Sequence, residues 1–338
     1  MNILFFTSSV EDYLSDSVLH GFRTLFGSNC VDYPKCEILY AGCSKLITEQ
    51  VRGKGFTLYT GLLDDSYVDR FHIEEKLRDR YFDLVLISDI WRQYGFFVQF
   101  RPWLTSSLVV ILDGTDTVAP YPAAGHWWRR PYYWFLPRAH KRFLYFKREW
   151  TSETRFTPFS RLLPHRLRDK LPAASMLRKI SFGIPESKIV STPSVKAKDF
   201  PKHIVDAEVA GRIPGAATSY AFSTEAEYYA DLQASRFGVT TRRSGWDCLR
   251  HYEIAANGAV PCFRDLEQKP ETCAPHGLNE TNCISYRSAE ELFAKVRVLS
   301  DSQYANLQRG ALEWVRTRTT KALAECILDE HRRYCNGL

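Results

Sequence analysis

Three apolar runs in the first half of the chain constrain its fold more than any other feature. They cover residues 82–88, 108–113 and 142–146, and none alternates between apolar and polar side chains. Because a strand without alternation is buried on both faces, the runs predict a parallel sheet with helices on each side. Their spacing of about 25–30 residues fits repeated strand–helix–strand units.

The remaining pattern predicts a second, similar unit. Residues 2–7 read as the first strand, and a helix follows that Gly27 ends. Further strands are predicted at residues 30–32, 37–40, 55–59, 188–192, 219–222, 235–240, 259–263 and 284–286. Further helices are predicted at residues 73–80, 203–213, 224–234, 289–299 and 304–334. A proline-marked, basic stretch between residues 163 and 185 separates the two units.

The segment 243–261 reads R-S-G-W-D-C-L-R-H-Y-E-I-A-A-N-G-A-V-P and carries most of the chemical signal. A loop with Arg243 and Gly245 leads into a short helix, and Arg250, His251 and Glu253 crowd the first turns of that helix. A charged helix start between two apolar strands is where an α/β sheet binds an anion, because free N–H groups and the helix dipole point there. Asp247 is predicted to cap this helix.

The pattern loop–R-x-x-E–small–small-x-G-x-x-P resembles the nucleotide-sugar segment of GT-B glycosyltransferases, in their exostosin-like and family 1-like varieties. The resemblance covers residues 222–314 well and the N-terminal half only by its general pattern. It implies an α/β GT-B fold, in which two Rossmann-like domains face each other across a cleft. Residues 1–185 would be the acceptor-side domain, and residues 186–338 the nucleotide-sugar-binding domain with a C-terminal helix.

In that family the arginine side of the motif faces the donor diphosphate, and the glutamate bonds ribose or sugar hydroxyls. The chemistry agrees, since a diphosphate needs fixed cations and a carboxylate suits a vicinal diol. The donor-binding residues that the resemblance implies are Arg242, Arg243, Gly245, Arg250, His251 and Glu253. The alternatives are that Arg250 and Glu253 form an ordinary i, i+3 surface pair, that His251 is structural, and that Arg242 and Arg243 are solvated.

One position departs from the family pattern. Many retaining members carry a second glutamate eight residues before the one that matches Glu253, and here that position is Gly245. The departure leaves open both the residue that contacts the sugar and the choice between retention and inversion.

The N-terminal half is expected to bind the acceptor and, for an inverting enzyme, to supply a general base. The main candidates are acidic or basic residues near strand ends: Asp16, Asp113, Asp116 and His126. Asp12 and Asp89 are further candidates of the same kind. For each of them a helix cap or a turn is the plainer alternative. Asp113 and Asp116 also suit a metal or a sugar, but the resemblance implies no metal, because GT-B enzymes stabilise the leaving diphosphate with side chains and a helix end.

A basic belt lies in the middle of the chain. Residues 129–188 hold 15 Lys and Arg against four acidic residues, a net charge of +11, whereas the whole chain carries +6. Its aromatic part, residues 127–138, interleaves Trp and Tyr with Arg, which suits peripheral contact with an anionic membrane. A sugar-stacking wall of the cleft is an equal alternative. Nucleic acid is disfavoured, because the rest of the chain is acidic and no nucleic-acid module is present.

Composition excludes several other classes. No apolar run reaches the roughly 18–20 residues of a membrane span, and the N-terminus lacks the features of a signal peptide. Nine cysteines without a C-x-x-C pair favour a reducing compartment over a zinc site. We therefore expect a cytoplasmic protein, peripheral on the inner face of a membrane if the belt binds lipid.

The sequence thus predicts a glycosyltransferase that moves a sugar from a nucleotide diphosphate sugar to a glycan or lipid-linked acceptor, in the synthesis of a cell-surface polysaccharide or glycoconjugate. The nucleotide sugar is the donor substrate, and no cofactor is expected. One alternative is a catalytically inactive GT-B-like scaffold that binds sugar or nucleotide. A Rossmann-type oxidoreductase is disfavoured, because no predicted strand is followed by G-x-G-x-x-G.

Overall fold

The computed structural model describes residues 1–7, 11–49, 51, 58–118, 120, 139–151, 163–164, 167, 176–219 and 221–337. Its N-terminal half is built on a six-stranded, all-parallel sheet in the order β2-β1-β3-β4-β5-β6. The strands are β1 (Ile3–Phe6), β2 (Cys30–Tyr33), β3 (Leu84–Ser88), β4 (Val109–Asp113), β5 (Leu144–Lys147) and β6 (Leu177–Lys179). The helices of this half are α1 (Tyr13–Phe26), α2 (Lys45–Glu49), α3 (Ile73–Arg78), α4 (Ile90–Phe100) and α5 (Ala139–Arg142).

The C-terminal half has a smaller parallel sheet in the order β7-β8-β9. Its strands are β7 (Phe237–Thr240), β8 (Val260–Arg264) and β9 (Ile284–Tyr286). Its helices are α6 (Ala207–Ala210), α7 (Glu225–Gln233), α8 (Leu249–Ala256), α9 (Ala289–Val298), α10 (Asp301–Arg316) and α11 (Thr320–Asn336). The predicted domain boundary at residues 185/186 falls between the two sheets.

The large sheet is buried on both faces, as its apolar runs predict. In β1, Ile3 and Phe5 belong to the core cluster that contains α1, whereas Leu4 and Phe6 belong to the opposite cluster with residues of α3 and α4. The cluster on the α1 side continues into the C-terminal half, where it includes Tyr252 of α8. One hydrophobic core therefore joins the two sheets.

The last helix, α11, packs against the N-terminal half rather than the half that contains its sequence neighbours. Thr320 Oγ1 lies 2.8 Å from His20 Nδ1 of α1, and a Cβ on Gly21 would collide with the Thr320 carbonyl oxygen. Farther along α11, Glu330 pairs with Arg178 at 2.5 Å. The prediction assigned this helix to the C-terminal domain, but its apolar side is buried on α1.

Several predicted elements are confirmed within one to three residues, and others are wrong. Residues 37–40 and 186–188 contain 3-10 turns, residues 219 and 221–222 are not strand, and only four residues of the predicted helix 203–213 are helical. The predicted helix 304–334 is two helices. They separate where Ile184 donates to the Arg318 carbonyl and accepts from the Thr320 N–H, each at 2.9 Å, and where Thr319 caps α11. The strand predicted at 55–59 lies mostly outside the described residues.

Candidate functional site: the cleft between the halves

A cleft of about 760 Å³ lies between the two halves, at the carboxyl ends of the strands of the large sheet. This is where open parallel sheets bind ligands. Its N-terminal wall includes Glu11, Asp12, Tyr13, Asp89, Trp91, Arg92, Gly114, Thr115, Asp116 and Arg148. Its C-terminal wall includes His203, Thr218, Ser219, Ala221, Phe222, Tyr228, Arg243, Ser244, Gly245, Asp247, Cys248, Leu249, Arg250 and Glu253.

Helix α8 forms the centre of the C-terminal wall. Ala255 and Ala256 are fully buried, and a Cβ on Gly238 of β7 would come within 2.6 Å of the Ile254 side chain. These small residues let the helix lie close to its sheet, as the sequence pattern predicts. Gly258 ends the segment with a φ of 69°, a left-handed conformation that favours glycine.

The N-terminus of α8 opens into the cleft without a side-chain cap. Its N-cap residue is Cys248, which makes no capping hydrogen bond. The prediction that Asp247 caps this helix is therefore wrong. Asp247 instead accepts from the Phe182 N–H at 3.0 Å and from the Tyr252 hydroxyl at 2.9 Å, so that it ties the loop to the connection between the halves.

Three of the predicted donor-binding side chains meet at this helix end. Arg243, Arg250 and Glu253 all line the cleft. Burial raises the pKa of Glu253 to about 7, against the opposing effect of Arg250. The Tyr229 hydroxyl donates to Glu253 Oε1 at 3.3 Å. Glu253 is thus a partly buried carboxyl group beside cations, and it can exchange its proton near neutral pH.

Two other predicted donor contacts lie outside the lining. His251 is fully buried, where its ring stacks on Phe263 and its nitrogens meet Thr240 Oγ1 and the Trp246 carbonyl oxygen, each at 2.9 Å. The Arg242 guanidinium lies over the Trp246 ring at 5.0 Å. The placement of His251 favours its structural alternative, and the exposure of Arg242 favours the alternative that it is solvated.

Arg148, at the end of β5, is a cleft residue that the sequence reasoning missed. Its guanidinium donates to the Gly114 carbonyl oxygen at 3.0 Å and the Asp247 carbonyl oxygen at 3.0 Å, and it pairs with Asp116 and with Glu149 at 2.9 Å. These bonds connect the ends of β4 and β5 to the α8 loop. The only sequence signal was the charged triplet that follows the apolar run of β5.

Gly245 lines the cleft at a point where a side chain has no room, because two charged side chains lie close to it. A Cβ at this position would collide with Glu149 Oε1 and would lie 2.7 Å from Asp116 Oδ1. Glu149 also accepts from the Trp246 N–H at 2.9 Å. The carboxylate next to the family's missing glutamate position therefore comes from the N-terminal half.

Of the three N-terminal candidates that lie within the described residues, Asp16, Asp113 and Asp116, only Asp116 lines the cleft. Asp113 is fully buried in an ion pair with Lys147 at 2.9 Å and accepts from Tyr145 and Thr115. Asp16 is buried in α1, and its Oδ1 accepts from the Cys36 thiol at 3.7 Å. Burial, followed by the nearby Asp12 and Glu11, raises the pKa of Asp16 well above its usual range. His126 lies outside the described residues.

A group of aromatic side chains lies next to Glu253, which Tyr229 connects to it. Tyr228 packs on Tyr229 at 5.6 Å between ring centroids and on Phe222 at 6.0 Å, and the His203 ring lies 6.4 Å away. His203 Nδ1 contacts the Ser219 carbonyl oxygen at 2.8 Å. Burial, with Arg250 and Arg243 as further causes, lowers the pKa of His203.

The basic belt is not one surface. Lys147 and Arg148, both counted in it, are buried, and Arg178 pairs with α11. Its aromatic part, residues 127–138, lies outside the described residues. Within the part of the chain that the structure describes, no helix has the length and apolar character to cross a membrane, and no three His, Cys, Asp or Glu side chains are grouped as metal ligands.

The overall architecture is similar to that of solved glycosyltransferases. A glycosyltransferase from Rickettsia africae aligns over 98% of both chains, with a TM-score of 0.56 and 9% identity. Anabaena HepE, solved with UDP and glucose, aligns over 98% of this chain and 99% of its own, with a TM-score of 0.55 and 10% identity. A trehalose-6-phosphate synthase aligns over the same shares, with a TM-score of 0.52 and 10% identity. No protein-family model and no curated protein sequence matches.

The chain therefore has the GT-B glycosyltransferase fold, as the segment 243–261 implies.

Proposed function

We propose that this protein is a glycosyltransferase that transfers a sugar from a nucleoside diphosphate to the hydroxyl group of a glycan or lipid-linked acceptor. The observation that carries the proposal is the meeting of Arg243, Arg250 and Glu253 at the uncapped N-terminus of α8, inside the interdomain cleft. The three chemical groups match the parts of a nucleoside diphosphate.

The diphosphate would lie at the start of α8. Free backbone N–H groups and the positive end of the helix dipole favour an anion there, and the two arginines add fixed charge. When the bond between sugar and phosphate breaks, negative charge develops on the leaving diphosphate. The same cations then stabilise the transition state more than the bound donor, which accelerates the reaction.

The ribose hydroxyls would bond Glu253, and the base would extend toward Phe222 and Tyr228. A carboxylate accepts two hydroxyl donors, so it suits a vicinal diol. The aromatic side chains lie one step farther from the diphosphate, since Tyr229 contacts both Glu253 and Tyr228. HepE was solved with UDP and with UDP-glucose, and a donor of that class fits this order of groups.

The other parts of the proposal rest on the sequence. We propose that the reaction requires no metal and that the protein acts in the cytoplasm, in peripheral contact with an anionic membrane through residues 127–138. A role in the synthesis of a surface polysaccharide or glycoconjugate belongs to the same proposal.

Calorimetry with UDP, GDP and NADH tests the donor class, together with a hydrolysis screen of nucleotide sugars. We expect a nucleoside diphosphate to bind, and Glu253→Gln to weaken that binding by about 1–3 kcal/mol, because buried hydroxyl groups lose an acceptor. Glu227→Gln, on the exposed cap of α7, is the control and should bind as the wild type does. NADH binding in place of a diphosphate would contradict the proposal, and diphosphate binding without turnover on any donor would favour a scaffold.

A further inference from the structure

The N-terminal wall of the cleft holds three aspartates at the ends of neighbouring strands, and they differ in what occupies their oxygens. Asp12 follows β1, Asp89 follows β3 and Asp116 follows β4. A carboxylate that helps an acceptor hydroxyl to react must face the donor and keep an oxygen available. Within the described residues each of the three has one carboxylate oxygen that is bonded and one that is not, so the role of the bonded oxygen separates them.

Asp12 and Asp116 are both engaged in holding the structure. Asp12 is the N-cap of α1, where its Oδ1 accepts from the Ser15 N–H at 3.0 Å. Asp116 pairs with the buried guanidinium of Arg148, and its own side chain is 47% exposed. Asp12 is therefore a helix cap, as its alternative predicted. Asp116 belongs to the group of bonds by which Arg148 connects the ends of β4 and β5 to the loop before α8.

Asp89 occupies a cap position without capping. It precedes α4 with φ 44° and ψ 63°, a left-handed conformation that is uncommon outside glycine, and its side chain accepts no bond from the N–H groups of that helix. Such conformations persist where the surrounding structure enforces them, often at functional sites. The carboxylate is therefore not used to cap the backbone of α4.

One carboxylate oxygen of Asp89 accepts a hydrogen bond, and the other can accept one from a ligand. Arg92 donates to Asp89 Oδ2 at 2.6 Å, whereas Oδ1 accepts no hydrogen bond within the described part of the chain. The residue is 6% exposed and lines the cleft opposite Arg243 and Arg250. A carboxylate in this state can accept the proton of a bound hydroxyl.

Burial and the neighbouring charges place the titration of Asp89 in the useful range. Burial, followed by the nearby Asp12 and Asp113, raises the pKa of Asp89 to about 6 against the lowering effect of Arg92. A base with a pKa near the working pH is ionised and still accepts a proton effectively.

We propose that Asp89 is the general base of the reaction and that transfer inverts the anomeric centre. The proposal rests on the proposed function. Asp89 Oδ1 takes the proton of the acceptor hydroxyl while the oxygen of that hydroxyl forms a bond to the anomeric carbon. The bond from that carbon to the diphosphate oxygen breaks on the opposite face, and the nucleoside diphosphate leaves with the electron pair. Asp89 then releases its proton to water.

Hydrolysis of a donor, with water as the acceptor, tests this step. The probes are UDP-glucose, UDP-galactose and GDP-mannose, and calorimetry with UDP and GDP measures donor binding separately. For Asp89→Asn we expect turnover to fall about 10²-fold or more, with the diphosphate Kd unchanged. Asp79→Asn, an exposed aspartate outside the cleft, is the control and should keep wild-type turnover.

Two readouts separate a base from a structural residue. Proton NMR of the first product should show the anomer opposite to the donor, β-glucose from UDP-α-glucose. The acidic limb of the kcat profile, measured at saturating donor so that ionisation of Glu253 in the free protein does not enter, should lie near pH 6. It should move to higher pH in Arg92→Gln, because the variant loses the charge that favours ionised Asp89. Arg92→Lys should restore the limb.

Four results would overturn the assignment: a retained anomer, full turnover in Asp89→Asn, an acidic limb that Arg92→Gln does not move, or a wild-type protein that binds UDP or GDP yet hydrolyses none of the three donors. Failure of both diphosphates to bind would instead contradict the proposed function itself.

Discussion

Arg148 contacts the loop 242–247 and Arg243 belongs to it, but the two guanidinium groups have different surroundings. The Arg148 guanidinium is buried and bonded to two carboxylates and two carbonyl oxygens. The Arg243 side chain is exposed in the cleft and makes no hydrogen bond or ion pair within the described residues. A cation that is neutralised internally organises the protein, whereas an exposed cation in a concave site attracts an anionic ligand. The comparison separates structural charge from functional charge.

The largest effect that this comparison predicts is on folding. Arg148→Met should lower the free energy of unfolding by about 3–5 kcal/mol, because Glu149 and Asp116 lose a buried partner. Urea denaturation measures the change. Arg178→Met is the control and should lose only about 1 kcal/mol, since its pair with Glu330 is partly exposed. Equal losses in the two variants would contradict the distinction.

The next effect is on turnover. Arg243→Ala should reduce donor hydrolysis about 10²-fold by removing a charge that stabilises the leaving diphosphate, with little change in the urea midpoint. The adjacent Arg242 offers a matched control, because it packs on Trp246 outside the cleft lining. Arg242→Ala should lose about 0.5–1 kcal/mol of stability and keep most of the turnover. If the two variants exchange these phenotypes, the donor lies on the other side of the loop.

A smaller effect concerns the thiol at the start of α8. His251 and Arg250 outweigh burial and lower the pKa of Cys248 to about 6, whereas the pKa values of the other eight cysteines are raised. Since the thiolate is the reactive form, iodoacetamide labelling of Cys248 should rise as pH increases through about 6 and then level off. Bound UDP should slow it.

Mass spectrometry locates the label, and Cys248→Ser should abolish the labelling that rises through about pH 6. A labelling rate that keeps rising up to pH 9 would show an ordinary thiol, and no protection by UDP would place the diphosphate away from this helix end.

The sequence predicted what local pattern determines. Long apolar runs specified the central strands, and glycine and small residues specified α8 and its close contact with β7. The pairing of charges was not predictable in this way. Asp113 is the last residue of β4 and Lys147 is the last residue of β5, and only the register of the two strands brings them together in a buried pair. Asp113 therefore looked like a catalytic candidate in the sequence.

The contact between Arg148 and Asp247 was unpredictable for the same reason, over a longer separation in sequence. Arg148 and Asp247 are 99 residues apart, and their contact depends on how the two halves meet. Composition counted Arg148 as part of a basic surface, because a charge total carries no information about burial. The break between α10 and α11 was missed for a related reason: the residues at the break contain neither glycine nor proline, and a contact with Ile184 defines it.

The position of α11 also has a consequence for synthesis on the ribosome. His20 of α1 and Thr320 of α11 are 300 residues apart, yet they are in contact in the folded protein. A nascent chain therefore leaves the side of α1 that holds His20 and Gly21 uncovered until almost all of the remaining residues have been translated. Chains that stop before residue 320 would expose that side permanently, and they would be substrates for chaperones and proteases even though both sheets were complete.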